Sequence, residues 1–152
     1  MDRQIDFVDY DASFLEKSWE WLNNPVIKSM TNTPDFTKDN QLAWFQSLQF
    51  KTDYFIKGIR FNNIAVGAVG LKNITTSDAE YWGYIGDSEY WGKGIGSEML
   101  SFAIEKGKEK KLKKLYLKVV ESNTRALNLY KKFCFKQRDG ENDLVYMELD
   151  LI

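Results

Sequence analysis

The sequence predicts an α/β fold built on one mixed sheet in which strands outnumber helices, and three stretches carry that prediction. Residues 79–85 are a mostly apolar run suited to a buried strand, the glycines of Tyr90-Trp91-Gly92-Lys93-Gly94-Ile95-Gly96-Ser97 follow, and Ile95, Met99, Phe102 and Ala103 then recur on one helical face. With the alternating run 115–120 behind them they make a strand, turn, helix and strand unit. Residues 53–61 and 64–74 flank Asn62-Asn63, the pattern of a hairpin. A last pair, 135–137 and 144–149, is expected to close through Asp139-Gly140.

The remaining elements follow in order. Residues 5–8 form a short first strand, and 13–21 a helix whose Phe14, Leu15, Trp19 and Leu22 share a face until Asn23-Asn24-Pro25 stops it. Thr37 caps a second helix carrying Leu42, Phe45 and Leu48. The helix opened by the glycines runs to about Gly107, and Ala126, Leu129, Tyr130 and Phe133 mark a final helical stripe.

At 152 residues and 43% hydrophobic content, the chain suits one domain, residues 1–152, able to bury a core. A net charge of -1 argues against nucleic acid or a membrane surface as partner. Lys106, Lys108, Lys110, Lys111, Lys113 and Lys114 therefore need a local explanation, either a solvated helix end or a phosphate contact. One cysteine excludes an internal disulfide framework, Met1-Asp2-Arg3-Gln4 is not the start of a signal peptide, and no apolar run spans a bilayer, so a cytoplasmic protein is expected.

Glycines at the start of a helix let an anion approach main-chain N–H groups that carry partial positive charge. Gly-Lys-Gly-Ile-Gly fits neither the dinucleotide spacing nor a Walker loop. The turn resembles instead the Arg/Gln-x-x-Gly-x-Gly/Ala signature of the GNAT superfamily of acyl-CoA-dependent N-acetyltransferases, with Gly94 and Gly96 on the two signature glycines and Trp91 where Arg or Gln is usual. Residues 121–135 are similar to the family's Asn-x-x-Ala-x-x-x-Tyr-x-x-x-Gly-Phe, with Asn123, Ala126, Tyr130 and Phe135 in register and Cys134 in place of the glycine. The element order agrees over nearly the whole chain. The resemblance implies a mostly antiparallel sheet of about seven strands flanked by about four helices, with a splay between the fourth and fifth strands.

It also implies a site. Acetyl-CoA is the expected co-substrate, with no metal; Trp91, Gly92, Lys93, Gly94, Ile95, Gly96 and Ser97 would surround its pyrophosphate, and Tyr84, Ile85 and Gly86 would pair their backbone with pantetheine. Tyr130 is the implied general acid for the departing thiolate, its phenol being a donor at neutral pH. Asn123 is a helix cap, a ligand, or both. With no histidine in the chain the base must be an acid side chain or a water relay. Glu80, fourteen residues before Gly94, matches a catalytic glutamate of some histone-acetylating relatives. Cys134, at a helix end, makes a poor nucleophile, which favours direct attack by the amine.

Residues 19–28 look like a stretch shared by ribosomal-protein N-terminal acetyltransferases and enzymes acetylating nucleotide-linked amino sugars; Phe36-Thr37 and Gln41-Leu42-Ala43-Trp44-Phe45 are closer to the sugar enzymes, whose frequent His is Gln41 here. Trp21, Asn23, Tyr81 and Glu121 are the expected acceptor contacts. The reading is N-acyl transfer to a primary amine on a nucleotide-linked amino-deoxy sugar, by a monomer or homodimer. Acetylation of protein N-termini and a non-catalytic acyl-CoA-binding module are the alternatives.

Overall fold

The structure is a computed structural model and describes residues 3–151; Met1, Asp2 and Ile152, with the reading of the chain's first residues, lie outside the described part. The described strands are β1 (Ile5–Val8), β2 (Phe55–Phe61), β3 (Ile64–Lys72), β4 (Asp78–Ile85), β5 (Lys114–Val120), β6 (Lys136–Glu141) and β7 (Leu144–Asp150). They form one seven-stranded sheet in the order β1-β2-β3-β4-β5-β7-β6. Every neighbouring pair is antiparallel except β4 and β5, which run parallel because α4 (Ile95–Glu109) crosses over between them.

The β2–β3 hairpin forms where expected: Asn62 (φ 49) and Asn63 (φ 69) both adopt the left-handed conformation of a type I′ turn. The last hairpin does not. Its turn is Asn142-Asp143, with Asn142 at φ 55, and Gly140 lies inside β6 at a break in register. A β-carbon on Gly140 would sit 2.3 Å from the Leu144 carbonyl oxygen, so the glycine serves a close backbone approach instead of the reversal.

Helices cover both faces of the sheet. Asp11 caps α1 (Ala12–Asn23), accepting hydrogen bonds from the Ser13 and Phe14 N–H groups at 3.0 and 3.3 Å. Asn24-Pro25 ends α1 and also opens α2 (Pro25–Met30): the Asn24 side chain accepts from the Val26 N–H at 2.9 Å, with Pro25 at the first helical position. The described residues therefore hold five α-helices, one more than the sequence predicts, because Asn-Pro is an initiator as well as a stop. Thr37 caps α3 (Lys38–Ser47) in a reciprocal pair with Asn40, and α5 (Thr124–Lys132) completes the set.

The pairing register assigns the faces. Val69, Tyr81 and Gly83 share the face under α4, where a β-carbon on Gly83 would touch Met99 at 2.7 Å. Gly58, Ala68, Tyr84 and Gly86 share the opposite face under α1, where Phe14 seats on Gly58 and Trp21 on Gly86. Ile95, Met99, Leu100, Ala103, Leu115 and Leu117 form the core beneath α4. No helix among the described residues is long and apolar enough to cross a membrane.

Candidate active site

The sheet opens between its two parallel strands. β4 and β5 are in register only at Asp78↔Lys114, Ala79↔Leu115 and Glu80↔Tyr116, and beyond Glu80 they part. The Gly86 N–H donates to the Val66 carbonyl at 2.7 Å, so even-numbered β4 residues direct their main-chain groups to β3, while Gly83 and Ile85 direct theirs into the gap. Of the three residues expected to line it with backbone, Ile85 therefore does so. Gly86 is bonded to β3, and Tyr84 lies under α1 with its phenol pKa pushed well above its ordinary value by burial. The Ile85 carbonyl is already occupied, accepting from the Trp91 indole N–H at 3.2 Å.

The glycine turn meets the mouth of this gap. Gly92 (φ 76) and Gly94 (φ 82) are left-handed, a conformation that costs other residues energy. Gly94 is the N-cap of α4 and supplies no side-chain cap, so the N–H groups of Ile95, Gly96 and Ser97 begin the helix without one. Arg3 bonds the Lys93 carbonyl and reaches Glu98 at 3.4 Å, bracing the turn from outside. A β-carbon on Gly96 would lie 3.1 Å from Leu129, the closest approach of α4 to α5 there. The lysines from Lys106 onward lie at or beyond the other end of α4, which Lys106 reaches about 17 Å along the axis from Ile95; Lys106 and Lys110 lie 5.5 and 5.8 Å from the Phe55 ring centre.

Tyr130, on α5, is half-buried, and burial pushes its pKa up to about 12. Its ring contacts Tyr81 at 6.0 Å and Phe135 at 5.8 Å. Tyr81 is buried under α4, and its hydroxyl lies 3.0 Å from where a Gly83 β-carbon would be, so it stands with Tyr130 on the opposite face of the sheet from Trp21. Asn123 is the N-cap of α5, its side-chain oxygen accepting from the Ala126 N–H at 3.3 Å. The helix ends in a left-handed Cys134 (φ 72): the Phe135 N–H donates to the Tyr130 carbonyl and the Cys134 N–H to Lys131, both at 3.0 Å.

Glu80 marks the vertex of the gap on the α1 face, 7% exposed, accepting from the Asn73 amide at 3.3 Å and facing the Lys72 ammonium at 3.8 Å. Trp21 overlies Gly86 and meets Tyr84 edge-on at 6.2 Å. The Asn23 amide folds back on its own helix, donating to the Trp19 carbonyl at 2.7 Å. Gln41 donates to Ser18 Oγ at 2.7 Å and so ties α3 to α1. Glu121 is exposed beside an open groove of about 1110 Å³ lined also by Pro25, Lys28, Asn32, Ser122 and Asp143; its N–H donates to the Asp143 carbonyl at 2.7 Å. Lys28 is paired with Asp35.

Two side chains absent from the expected set belong to this region. The Trp82 indole N–H is buried and has no acceptor among the described residues. The Arg125 guanidinium, on α5, lies 5.6 Å from the Trp91 ring centre. Neither feature has a sequence signal, since β4 parity decides where Trp82 points and 34 residues separate Arg125 from Trp91.

Residues 16–135 match the model of the Acetyltransferase (GNAT) family, and the chain belongs to that family. An uncharacterized protein of Methanocaldococcus jannaschii is 28% identical over 138 residues; the match takes in 87% of this chain, which spans about 28% of the length of that relative. The fold is also that of the spermidine N-acetyltransferase of Vibrio cholerae solved with CoA and spermine (TM-score 0.87, 20% identity, 97% of this chain and 96% of that one). The Campylobacter jejuni N-acetyltransferase PseH, solved with acetyl coenzyme A, is similar at TM-score 0.72 and 18% identity, over 98% of this chain and 99% of that one.

Proposed function

We propose that this chain transfers an acetyl or other short acyl group from acyl-CoA to a primary amine. The observation that carries the reading is the continuity of two features: a gap in the sheet edged by the backbone of Gly83 and the N–H of Ile85, and a left-handed glycine turn whose helix offers uncapped N–H groups. The first suits an extended amide-bearing arm and the second a diphosphate, and acyl-CoA carries both in that order.

In this reading the neutral amine attacks the thioester carbonyl directly. The N–C bond forms as the C–S bond breaks, and a main-chain N–H of Gly83 or Ile85 stabilises the oxygen as it gains charge. Tyr130 gives its phenolic proton to the leaving thiolate. The amine's surplus proton leaves through water or through Glu80, whose carboxylate sits at the vertex of the gap. Asn123 fixes the start of the helix that carries Tyr130.

The acceptor we favour is an amine on a nucleotide-linked amino-deoxy sugar, supported by the likeness of residues 19–28 and 36–45 to enzymes of that kind. A polyamine is the second reading, favoured by the carboxylates of Glu121 and Asp143 beside the open groove and by the fold shared with the Vibrio cholerae enzyme. Thiol release from acetyl-CoA, measured with nucleotide amino sugars, polyamines and peptides in parallel, tests both. Turnover confined to the sugars upholds the first, turnover on polyamines that collapses in Glu121→Gln upholds the second, and no release with any amine overturns the enzymatic reading.

A further inference from the structure

Trp91 cannot do for an anion what an Arg or Gln at its position does, because its one polar hydrogen is bonded to the Ile85 carbonyl at 3.2 Å. The cation is nevertheless present. Arg125 comes from the first turn of α5 and lies over the Trp91 ring, 5.6 Å from its centre. A β-carbon on Gly92 would have Arg125 Nη1 as a neighbour at 3.6 Å, so the guanidinium overhangs the left-handed part of the glycine turn.

Two further facts bear on this arginine. Among the described residues no carboxylate lies within ion-pairing distance of it, whereas Arg3 and Arg138 have partners; Arg60, also unpaired, lies over the Phe14 ring instead, and of these two only Arg125 neighbours the glycine turn. Its place near the N-terminus of α5 is also electrostatically wrong for the helix, whose other cations, Lys131 and Lys132, are in the last turn. A guanidinium lying against an aromatic ring keeps its edge N–H groups free to bind oxygen anions in pairs.

We propose that Arg125, presented by Trp91, is the side-chain ligand of the acyl-CoA diphosphate, taking over the role vacated by the Arg or Gln of the signature. The proposal rests on the acyl-CoA reading above. Trp91 is then a platform, and the indole N–H bond to Ile85 ties the diphosphate end of the site to the strand that edges the gap.

Calorimetry with CoA and 3′-dephospho-CoA on the wild type, Arg125→Gln and Arg125→Lys tests it, with KM for acetyl-pantetheine as the control that carries no diphosphate. Losing a charged hydrogen-bonding partner should weaken CoA by about ten- to a hundredfold in Arg125→Gln. The loss should be equal for 3′-dephospho-CoA, smaller in Arg125→Lys, and absent from the acetyl-pantetheine KM, while the melting temperature holds or rises. Trp91→Leu, which removes the platform and leaves the charge, should lower CoA affinity in the same direction. A loss seen with CoA but not with 3′-dephospho-CoA would assign Arg125 to the 3′-phosphate and overturn the proposal, as would unchanged affinity in a folded Arg125→Gln. Failure of the wild type to bind CoA at all would instead overturn the acyl-CoA reading.

Discussion

The ring of Tyr130 meets that of Tyr81 edge-on, their centroids 6.0 Å apart and their planes at 77°. Both phenols thus stand on the α4 side of β4, where the hydroxyl of Tyr81 lies close to Gly83 and the start of the gap. Replacing Tyr130 by Phe keeps the edge contact and removes only the donor. Turnover should fall by roughly 10² to 10⁴ while acetyl-CoA affinity stays near wild type. Steady-state kinetics beside a binding isotherm separates the two, and normal turnover in Tyr130→Phe would leave thiolate protonation to water.

The same burial predicts an alkaline weakness. Tyr130 is pushed from 10.0 to about 12, and Tyr81 is raised well above its ordinary value. The unfolded chain therefore releases these protons first, so it binds fewer protons than the native state above pH 10 and stability falls as pH rises. Melting temperature should be insensitive to these groups below pH 10 and drop from there towards pH 12. In Tyr130→Phe the drop should be shallower, and an unchanged slope would show that the phenol is not desolvated.

At Gly94 the obstacle to a side chain is backbone conformation. Its φ is 82, and the atom a β-carbon would approach, Arg3 Nη1 at 2.6 Å, is the far end of a flexible side chain that bonds the Lys93 carbonyl and can give way. Gly94→Val should cost about 1–2 kcal/mol from the left-handed conformation and weaken acetyl-CoA by obstructing the main-chain donors of the turn. Unchanged affinity by calorimetry in the folded variant would remove the anion site.

Cys134 is the reverse case. It is exposed, sits at φ 72, and holds the left-handed position of a helix end closed by two 3.0 Å backbone bonds. Cys134→Gly should raise stability by about 1 kcal/mol without abolishing turnover. A lower melting temperature would mean that the thiol contributes more than the strain removes, and loss of activity would reopen a covalent route.

What the sequence made legible was mostly local chemistry. Asn62-Asn63 and Gly92-Lys93-Gly94 declare their turns because few other residues tolerate a positive φ, and Thr37 with Asn40 declares a cap. Asn24-Pro25 and Asp139-Gly140 misled for a related reason, each pair being compatible with two local structures that only packing distinguishes. The site was legible as far as its motifs, and no further than the parity of β4. A shift of one residue in pairing with β3 decides whether Tyr81 joins Trp21 or Tyr130, and the register Leu71↔Tyr81 puts it with Tyr130. The Asn73 and Lys72 contacts of Glu80 and the stacking of Arg125 on Trp91 arise from tertiary structure alone.

With only three register pairs between β4 and β5, the sheet consists mechanically of two plates, one of four strands and one of three, meeting at a short seam. α4 straps them together, Met99 bearing on Gly83 in one plate and Gly107 on Leu115 in the other. Such plates should open as separate cooperative units, giving two groups of amide exchange rates in place of one. A ligand whose own amides bridge the seam would merge the two groups, slowing exchange in β7, a strand that does not edge the gap at all.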